Sequence, residues 1–360
     1  MTAAPLSIEI VRDAQRFAAL ADMWDALAAP METPLACHTW YSVVLATLRQ
    51  PLFELSVVLV WDGNLLVAAA PLILDKADFP ARLVTIDSFV GEPFRLLYCD
   101  PEALEVLAHA CAGLHQPILF RRLQSGKADL ALLSTVLRAK AAVHCTPRHA
   151  SVTVRLPSNF ESFEAGMSTS RRSTIRRKWR AAMREHGDIL TEFVTPQPEN
   201  LVEQLRRFEA IEGSGWKQRS GTALAADPKM SDLILRLGIA FAQKGLLVLA
   251  YLKIGGRDAA CRFILQQQSG WFEIKIGFDE EFARFSPGVL LMHETLREAC
   301  RTGIGAYSFL GLREGWQDNW PNEATEDFRV SIYPLRPSGA LALADDCRLA
   351  VSSFSRRFRR

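Results

Sequence analysis

Two stretches of this chain share one hairpin pattern, and that repeat constrains the fold more than any other feature. Residues 55–74 (LSVVLVWDGNLLVAAAPLIL) and 246–265 (LLVLAYLKIGGRDAACRFIL) each contain a strand, a tight glycine turn and a second strand. Glycine suits such turns because it adopts positive φ at little cost. The small residues Ala68–Ala70 and Ala259–Cys261 of the second strands align without a gap. The repeat therefore predicts two copies of one structural unit.

Each copy is predicted to be an α+β (α/β layered) domain, with a mixed, mainly antiparallel sheet flanked by helices. The predicted division is a first domain over 1–150, a second over 151–335 and a basic tail over 336–360. The second copy has the clearer pattern. Its predicted elements are helices at Phe160–Gly187, Glu199–Glu212 and Lys229–Lys244, strands at 246–254, 257–267 and 271–278 joined by Gly255-Gly256 and Ser269-Gly270, a helix after Ser286, and a strand at Ala306–Leu310.

The composition fits two ordinary domains with cores of their own. The chain has 360 residues, is 49% hydrophobic and carries a formal net charge of only +2. Its seven cysteines include no Cys-x-x-Cys pair, which is typical of buried thiols in a reducing compartment. The start lacks the features of a signal peptide, and no uncharged apolar run reaches membrane-spanning length. We therefore expect a cytoplasmic protein, with peripheral attachment to the inner face of the membrane as an option.

The helix after Ser286 begins Ser286-Pro287-Gly288 and has no acidic side chain in its first turn. Ser is a good N-cap, Pro suits the first helical position, and Gly lets a ligand approach the backbone. Such an end attracts anions, although an ordinary helix start is the alternative. In the first copy the corresponding helix has Asp100 and Glu102 at its start, and these carboxylates repel a phosphate. The contrast favours an anion site in the second copy only.

A second charge feature is the helix STSRRSTIRRKWRAAMREHG, whose apolar stripe is Ile175, Trp179, Ala182 and Met183. Basic side chains cover most of the remaining surface: Arg171, Arg172, Arg176, Arg177, Lys178, Arg180 and Arg184. This basic helix (171–184) and the tail residues 355–360 are candidates to bind an anionic ligand or a membrane surface. A solvated helix face and a frayed terminus are the alternative interpretations.

The segment IKIGFDEEFARFSPGVLLMHETLREACRTGIGAYSFLG resembles the core of the CelD-type branch of the GNAT acetyltransferase superfamily, a group named after a cellulose-biosynthesis protein. The shared pattern is Gly-x-Asp, an aromatic residue, Ser-Pro-Gly, a hydrophobic helix, and then Phe-Leu-Gly. The resemblance covers most of the chain, since members carry two GNAT-like units, and it is strongest over 270–320. It implies tandem GNAT-like domains, the first of them degenerate. The Fem-type aminoacyl transferases are more distantly similar in layout.

The resemblance also implies a cofactor, a substrate class and a set of contacts. The cofactor is acetyl-CoA or another acyl-CoA, with no metal, and the acceptor is an amine or hydroxyl of a saccharide or cell-envelope precursor. The pyrophosphate is expected at the amides around Gly288, and the pantetheine along strand 271–278. The implied cofactor contacts are Ile276, Gly277, Phe278, Arg284, Ser286, Pro287, Gly288 and Val289. The implied acceptor contacts are Trp216, Lys217, Arg262, Glu314, Trp316 and Trp320.

The sequence departs from the family pattern after the helix. Ser308 stands where the family usually has Asp before Phe-Leu. In the segment LREGWQDNW, the residues Leu312, Arg313 and Gln317 replace the usual Gly, Asp and Lys. A lysine could neutralise negative charge on a donor or acceptor, and Gln317 cannot. These departures weaken the transfer of both activity and substrate from the family.

Acyl transfer needs a proton acceptor and a proton donor, and three side chains are candidates. Glu273 alternates with Lys275 along the strand, so we expect both on one face, with Glu273 either a base or half of a surface ion pair. Asp279 is either a base or the cap of a turn. Tyr307 is either an acid toward the leaving thiolate or a core aromatic.

Other enzyme classes lack their motifs. His293-Glu294 has no second histidine at zinc-ligand spacing, and no nucleophile elbow, phosphate-binding loop or dinucleotide fingerprint occurs. The leading hypothesis is an acyl-CoA-dependent N- or O-acyltransferase. A catalytically inactive ligand-binding or scaffold protein is the first alternative. The second is an aminoacyl transferase that uses charged tRNA, the one case in which nucleic acid would bind.

Overall fold

The chain forms two compact units. The computed structural model describes residues 5–48, 52–77, 79–148, 150–214 and 227–357. The first unit comprises Met1–Met31, Leu35–His149 and Glu326–Arg360, and the second comprises Glu32–Pro34 and Ala150–Thr325. The chain thus leaves the first unit, builds the second and returns to the first. The return at Glu326 differs from the boundary at residue 335 that the sequence analysis placed.

The first unit contains two sheets. A four-stranded sheet has the order β1-β3-β4-β7, from β1 (Ser7–Val11), β3 (Val57–Asp62), β4 (Leu65–Ala70) and β7 (Leu97–Tyr98). A six-stranded sheet has the order β2-β5-β6-β8-β17-β9, from β2 (Phe53–Leu55), β5 (Leu72–Asp75), β6 (Arg82–Thr85), β8 (Ile118–Leu123), β17 (Phe328–Pro334) and β9 (Ala141–Pro147). The helices are α1 (Ala14–Ala18), α2 (Ala21–Ala28), α3 (His38–Thr47), α4 (Pro101–Gly113), α5 (Lys127–Leu137) and α11 (Pro337–Arg357).

The carboxyl-terminal return of the chain completes the six-stranded sheet. Strand β17 pairs antiparallel with β8 on one side and with β9 on the other. A buried ion pair fixes the start of β17, because Arg122 donates from Nε to Oδ2 of Asp327 at 2.8 Å. Gln124 donates to the other carboxylate oxygen at 3.0 Å. The residues after 335, which were predicted to be a tail, form α11 as far as Arg357, and 358–360 lie outside the described residues.

The second unit is built on a single seven-stranded sheet of order β11-β12-β13-β14-β15-β10-β16. Its strands are β10 (Ser151–Arg155), β11 (Ile189–Val194), β12 (Leu247–Ile254), β13 (Arg257–Gln267), β14 (Gly270–Phe278), β15 (Ala306–Ser308) and β16 (Glu323–Thr325). Its helices are α6 (Phe160–Ala165), α7 (Thr169–His186), α8 (Leu201–Gly213), α9 (Pro228–Ala242) and α10 (Pro287–Arg301). The neighbours in the sheet are antiparallel except for β14 and β15, which run parallel.

The predicted elements of this unit are largely observed, with two local differences. The helix predicted over Phe160–Gly187 is two helices, since α6 ends before Gly166 and α7 begins with its own N-cap, Ser168, whose side chain accepts from the Arg171 amide. The turn between β13 and β14 is at Gln268-Ser269 rather than at Ser269-Gly270. Helix α10 lies on one face of the central strands, and α8 packs on the opposite face through Phe208 against Phe263.

The prediction that Glu273 and Lys275 share one face is wrong. Phe263 pairs with Lys275 and the next residue, Ile264, pairs with Glu273, so Ile274 forms a bulge in β14. Because successive residues of a strand face opposite sides, the extra residue turns Glu273 away from the face of Lys275. Glu273 therefore lies on the α10 side of the sheet, where it is 6% exposed.

Candidate functional site

A pocket of about 360 Å³ opens in the second unit beside the amino-terminal end of α10. Strands β14 and β15 pair only from Gly270–Ala306 to Phe272–Ser308. The later part of β14, at residues 276–278, lines the pocket. The lining residues are Glu212, Cys261, Arg262, Ile276, Gly277, Phe278, Ala283, Ser286, Pro287, Gly288, Val289, Met292, Glu314, Trp316 and Trp320. Most of the predicted cofactor and acceptor contacts are therefore brought together in one cavity.

The start of α10 has the features of an anion site. Ser286 is in the left-handed conformation (φ 55°, ψ 56°), and its side chain does not cap the helix. Pro287 is at the first helical position, and the first turn has no acidic residue. A Cβ added to Gly288 would meet nothing within 4 Å, so open space adjoins its backbone. An anion placed there would interact favourably with the positive end of the helix.

Helix α4 of the first unit begins differently. The side chain of Asp100 is its N-cap and accepts from the Ala103 amide at 2.8 Å. This hydrogen bond, chiefly, lowers the pKa of the Asp100 carboxyl. Glu102 adds a second carboxylate in the first turn. The end of α4 is therefore already supplied with negative charge, as the sequence predicted.

A buried cluster of Arg262, Glu273 and Tyr307 lies on the α10 side of the sheet. Arg262 donates from Nη1 to Glu273 and from Nη2 to the Gly288 carbonyl oxygen, the latter at 2.8 Å. The Tyr307 hydroxyl donates to the same Glu273 oxygen at 2.6 Å. Arg262 is 2% exposed and Tyr307 is 0% exposed. Glu273 is thus the counter-ion of Arg262, and the pair ties β13 and β14 to the first turn of α10.

Burial dominates the protonation equilibria of this cluster. Desolvation raises the pKa of Tyr307 to about 12, against an opposing effect of the Arg262 charge. Desolvation also lowers the pKa of the Arg262 guanidinium. Of the three, only Arg262 lines the pocket. Its Nε is buried and has no hydrogen-bond partner among the residues that the structure describes.

The segment 314–320 forms another wall of the pocket. Glu314 is exposed and accepts from the indole Nε1 of Trp316. Gln317, where the family usually has lysine, is 4% exposed, and its Oε1 accepts from the Glu314 amide at 3.0 Å. Ser308, where the family usually has Asp, is 8% exposed and accepts from the Leu310 amide at 3.4 Å. Both residues therefore accept hydrogen bonds from nearby backbone amides, Ser308 at the end of β15 and Gln317 at the start of the 3-10 helix Gln317–Asn319.

Besides Glu273 and Tyr307, the predicted site residues Asp279 and Arg284 lie away from the pocket lining. Asp279 caps the 3-10 helix Glu280–Phe285 by accepting from the Glu281 amide at 3.0 Å, as the alternative interpretation held. Arg284 forms an ion pair with Glu185 of α7, and its guanidinium lies 4.7 Å from the ring centroid of Phe285. Trp216 and Lys217, predicted to contact the acceptor, lie outside the described residues.

Glu212 is a pocket residue that was not predicted from the sequence. This glutamate lines the pocket and is 1% exposed, at the end of α8. It follows Leu201, Leu205 and Phe208 at the spacing of a buried helical stripe, and a carboxylate in that position was the available signal. A Cβ on Gly277 would come within 2.5 Å of the Glu212 Cα. Gly277 therefore serves the close packing of α8 on β14, besides lining the pocket.

Within the described part of the chain, the basic helix α7 is only partly paired. Ile175 and Ala182 are buried and Trp179 packs against the core, whereas Met183 is 40% exposed and does not join the predicted stripe. Arg176 lies 3.6 Å from Glu164, and Lys178 donates to the Arg284 carbonyl oxygen. Arg171 lies over the ring of Trp320, 5.3 Å from its centroid.

Residues 169–318 match the acetyltransferase (GNAT) domain family. The matched segment contains α7, α8, α10 and most of the pocket residues. A comparison with curated proteins finds no match. Among the described residues there is no group of acidic, histidine and cysteine side chains suited to a metal ion, and no helix with the length and apolarity needed to cross a bilayer.

Solved structures extend the similarity to both units. FemX has a TM-score of 0.62 with 12% identity, over 91% of this chain and 97% of that chain. The C-terminal domain of a protein designated a lysylphosphatidylglycerol synthetase, from Agrobacterium fabrum, has a TM-score of 0.56 with 11% identity, over 92% and 96%. L-PGS from Bacillus licheniformis has a TM-score of 0.51 with 12% identity, over 86% and 90%. At these identities the similarity concerns the fold alone, which is GNAT-like.

Proposed function

We propose that the second unit transfers an acyl group from acyl-CoA to an amine or hydroxyl of a saccharide or cell-envelope precursor. The observation that carries the proposal is the acid-free first turn of α10, which faces a pocket of about 360 Å³. Its location within the segment that matches the GNAT domain supports the same conclusion. The open space beside Gly288 fits a pyrophosphate, and the apolar side chains of Ile276, Phe278 and Val289 fit a pantetheine.

Bound acyl-CoA would supply a thioester, whose carbonyl carbon the acceptor attacks while the CoA thiol leaves. Arg262 lines the pocket and contacts the first turn of α10, so it would donate to the phosphate oxygens proposed to bind there, with Glu273 and Tyr307 as positioning residues that hold its guanidinium. This assignment replaces the base and acid roles first considered for Glu273 and Tyr307, because the two contact each other and neither lines the pocket.

Glu314 is our candidate for the general base. It is an exposed carboxylate in the pocket wall, and Trp316 holds one of its oxygens. The other oxygen has no partner among the described residues, so it is available to take a proton from the acceptor. Glu212 is the alternative base, since it also lines the pocket, although it is almost fully buried.

An aminoacyl transferase is the second candidate function. FemX, the protein designated a lysylphosphatidylglycerol synthetase and L-PGS are similar in fold to both units of this chain, whereas the GNAT family match is confined to the second. The basic helix α7 would then contact the tRNA backbone. An inactive ligand-binding protein is the third candidate, on the basis of Ser308 and Gln317.

The test is binding of acetyl-CoA to the full chain by isothermal titration, followed by release of free thiol in the presence of acceptors. We expect one CoA per chain and loss of binding in Gly288→Glu, because the new carboxylate occupies the anion site. Gly113→Glu is the control, since it adds the same carboxylate at an exposed glycine of the first unit where a Cβ also meets nothing within 4 Å, and it should bind CoA normally.

The outcomes separate the candidates. Gly288→Glu should unfold no more easily than wild type, since a carboxylate in the first turn of a helix is stabilising. If Gly288→Glu bound CoA with wild-type affinity, the proposed pyrophosphate site would be wrong. CoA binding without turnover would favour the inactive protein, and tRNA binding without CoA binding would favour the aminoacyl transferase.

A further inference from the structure

Trp320 in the pocket wall and Arg171, which packs on its ring, carry buried donors with no acceptor among the described residues. Trp320 lines the pocket and is 2% exposed, and its indole Nε1 has no hydrogen-bond partner within the described part of the chain. The Arg171 guanidinium lies over the Trp320 ring. Its Nε and Nη2 are buried and also have no hydrogen-bond partner among the described residues. Native proteins rarely leave such donors unsatisfied unless a ligand or water supplies the acceptor.

No carboxylate among the described residues neutralises the positive charge of Arg171. Burial lowers the pKa of Arg171, and no carboxylate contributes an opposing effect. The Nε of the neighbouring Arg172 is also buried and has no hydrogen-bond partner among the described residues. Farther along α7, by contrast, Arg176 is near Glu164. The start of α7 therefore presents positive charge next to the Trp320 ring that no described carboxylate compensates.

We propose that the acceptor substrate carries a phosphate group, which binds to Trp320 Nε1 and the Arg171 guanidinium. This inference rests on the proposed function and specifies the acceptor class. The phosphate belongs to the acceptor rather than to CoA because Trp320 is in the wall that also carries Glu314, the candidate base. The CoA pyrophosphate is assigned to the Gly288 end of the pocket. A phosphate has the several oxygens and the negative charge that a guanidinium and an indole N–H together can satisfy.

The experiment uses the full chain saturated with CoA and two matched pairs of amines, glucosamine with glucosamine 6-phosphate and ethanolamine with phosphoethanolamine. Inorganic phosphate alone is a further probe. In isothermal titration we expect the phosphorylated member of at least one pair to bind about tenfold or more tightly than its partner. Arg171→Gln and Trp320→Phe should each remove most of that preference, because the first deletes the charged guanidinium and the second deletes the indole N–H.

Arg177→Gln is the control, since it makes the same charge change at an exposed position of the same helix. It should keep the preference, and none of the three variants should alter CoA affinity more than about twofold. Absence of a phosphate preference in both pairs together with no binding of inorganic phosphate would overturn the inference. So would a loss of CoA affinity in Arg171→Gln as large as that in Gly288→Glu, because the anion would then be the cofactor's.

The proposed function fails separately. If the wild-type chain binds no CoA, the acyl-CoA proposal is wrong. The same amine pairs and inorganic phosphate, titrated without CoA, then decide the phosphate inference alone. Retention of the preference in wild type and its loss in Arg171→Gln would still support the site.

Discussion

At the scale of single residues, buried charge in the second unit depends on specific partners. Arg262 is held by Glu273, which in turn accepts from Tyr307, and all three side chains are buried. Removing one member of a buried ion pair leaves the other charge uncompensated in a medium of low polarity. The cluster should therefore be more sensitive to the loss of the Glu273 charge than to the loss of the Tyr307 hydroxyl.

We expect Glu273→Gln to lower the free energy of unfolding by about 3–5 kcal/mol, because Arg262 keeps its charge and loses its counter-ion. Tyr307→Phe removes one hydrogen bond to a charged group and should cost about 1.5–3 kcal/mol. Urea denaturation of the two variants measures both values. If Glu273→Gln kept wild-type stability and lost only turnover, Glu273 would be a catalytic base rather than a positioning residue.

A buried carboxyl in the first unit makes stability depend on pH. Asp87 is 1% exposed, and burial raises its pKa to about 6, although Trp40 donates to it at 3.0 Å. The folded protein therefore keeps a proton that the unfolded chain releases at lower pH. The bound proton therefore stabilises the folded state. This contribution is complete below the pKa that Asp87 has in the unfolded chain, and it is lost as pH rises through the folded-state pKa of about 6.

We expect the difference in unfolding free energy between wild type and Asp87→Asn to change by about 2–3 kcal/mol between pH 4 and pH 6.5. The wild type should become less stable relative to the variant as pH rises. Asn keeps an oxygen that can accept from Trp40 and does not titrate in this range. Denaturation curves collected over that interval give the difference directly. A constant difference across the interval would show that Asp87 is ionised throughout.

At the scale of elements, alternation and turn residues predicted β12, β13, β14 and α10 to within about two residues, the usual uncertainty of such boundaries. Ser168 was a visible N-cap signal for the break before α7, yet the apolar pattern favoured one long helix. The bulge at Ile274 could not be predicted, because register depends on pairing between strands and not on either strand alone. The pocket residues around Ser286 could be predicted from one local motif. Glu212 could not, because it reaches the pocket from a helix that is distant in sequence.

The packing of α8 on β14 allows a sharp test. Gly277→Ala would place a Cβ within 2.5 Å of the Glu212 Cα, so the helix must shift or the protein must lose stability. We expect a cost of about 1–3 kcal/mol and weaker CoA binding, because Glu212 and Gly277 both line the pocket.

Gly213→Ala is the matched control on the same helix. A Cβ there meets nothing within 4 Å, so this variant should match or slightly exceed wild-type stability. Thermal unfolding and CoA titration of the two variants compare them directly. Equal behaviour of both would mean that α8 does not approach β14 as closely as described.

At the scale of the whole molecule, the first unit is discontinuous in sequence. We expect Asp327→Ala to destabilise it by about 3–5 kcal/mol, because Arg122 would remain buried without its counter-charge. Glu326→Ala, at the adjacent exposed position, should change stability by less than about 0.5 kcal/mol. Hydrogen exchange should show the loss of protection in β8 and β9, which flank β17. Loss of protection confined to the second unit would assign the returning segment to that unit instead.

The return of the chain to its first unit also sets the order of events on the ribosome. Translation delivers residues from the amino terminus, so every strand of the second unit has emerged once Thr325 is clear of the exit tunnel. Strands β8 and β9 are made much earlier, but the partner that lies between them arrives only with Phe328–Pro334. Until then the edges of β8 and β9 that face this partner expose unpaired backbone amides and carbonyls, with which neighbouring nascent chains can pair. The part of the protein synthesised first is therefore the part that finishes folding last.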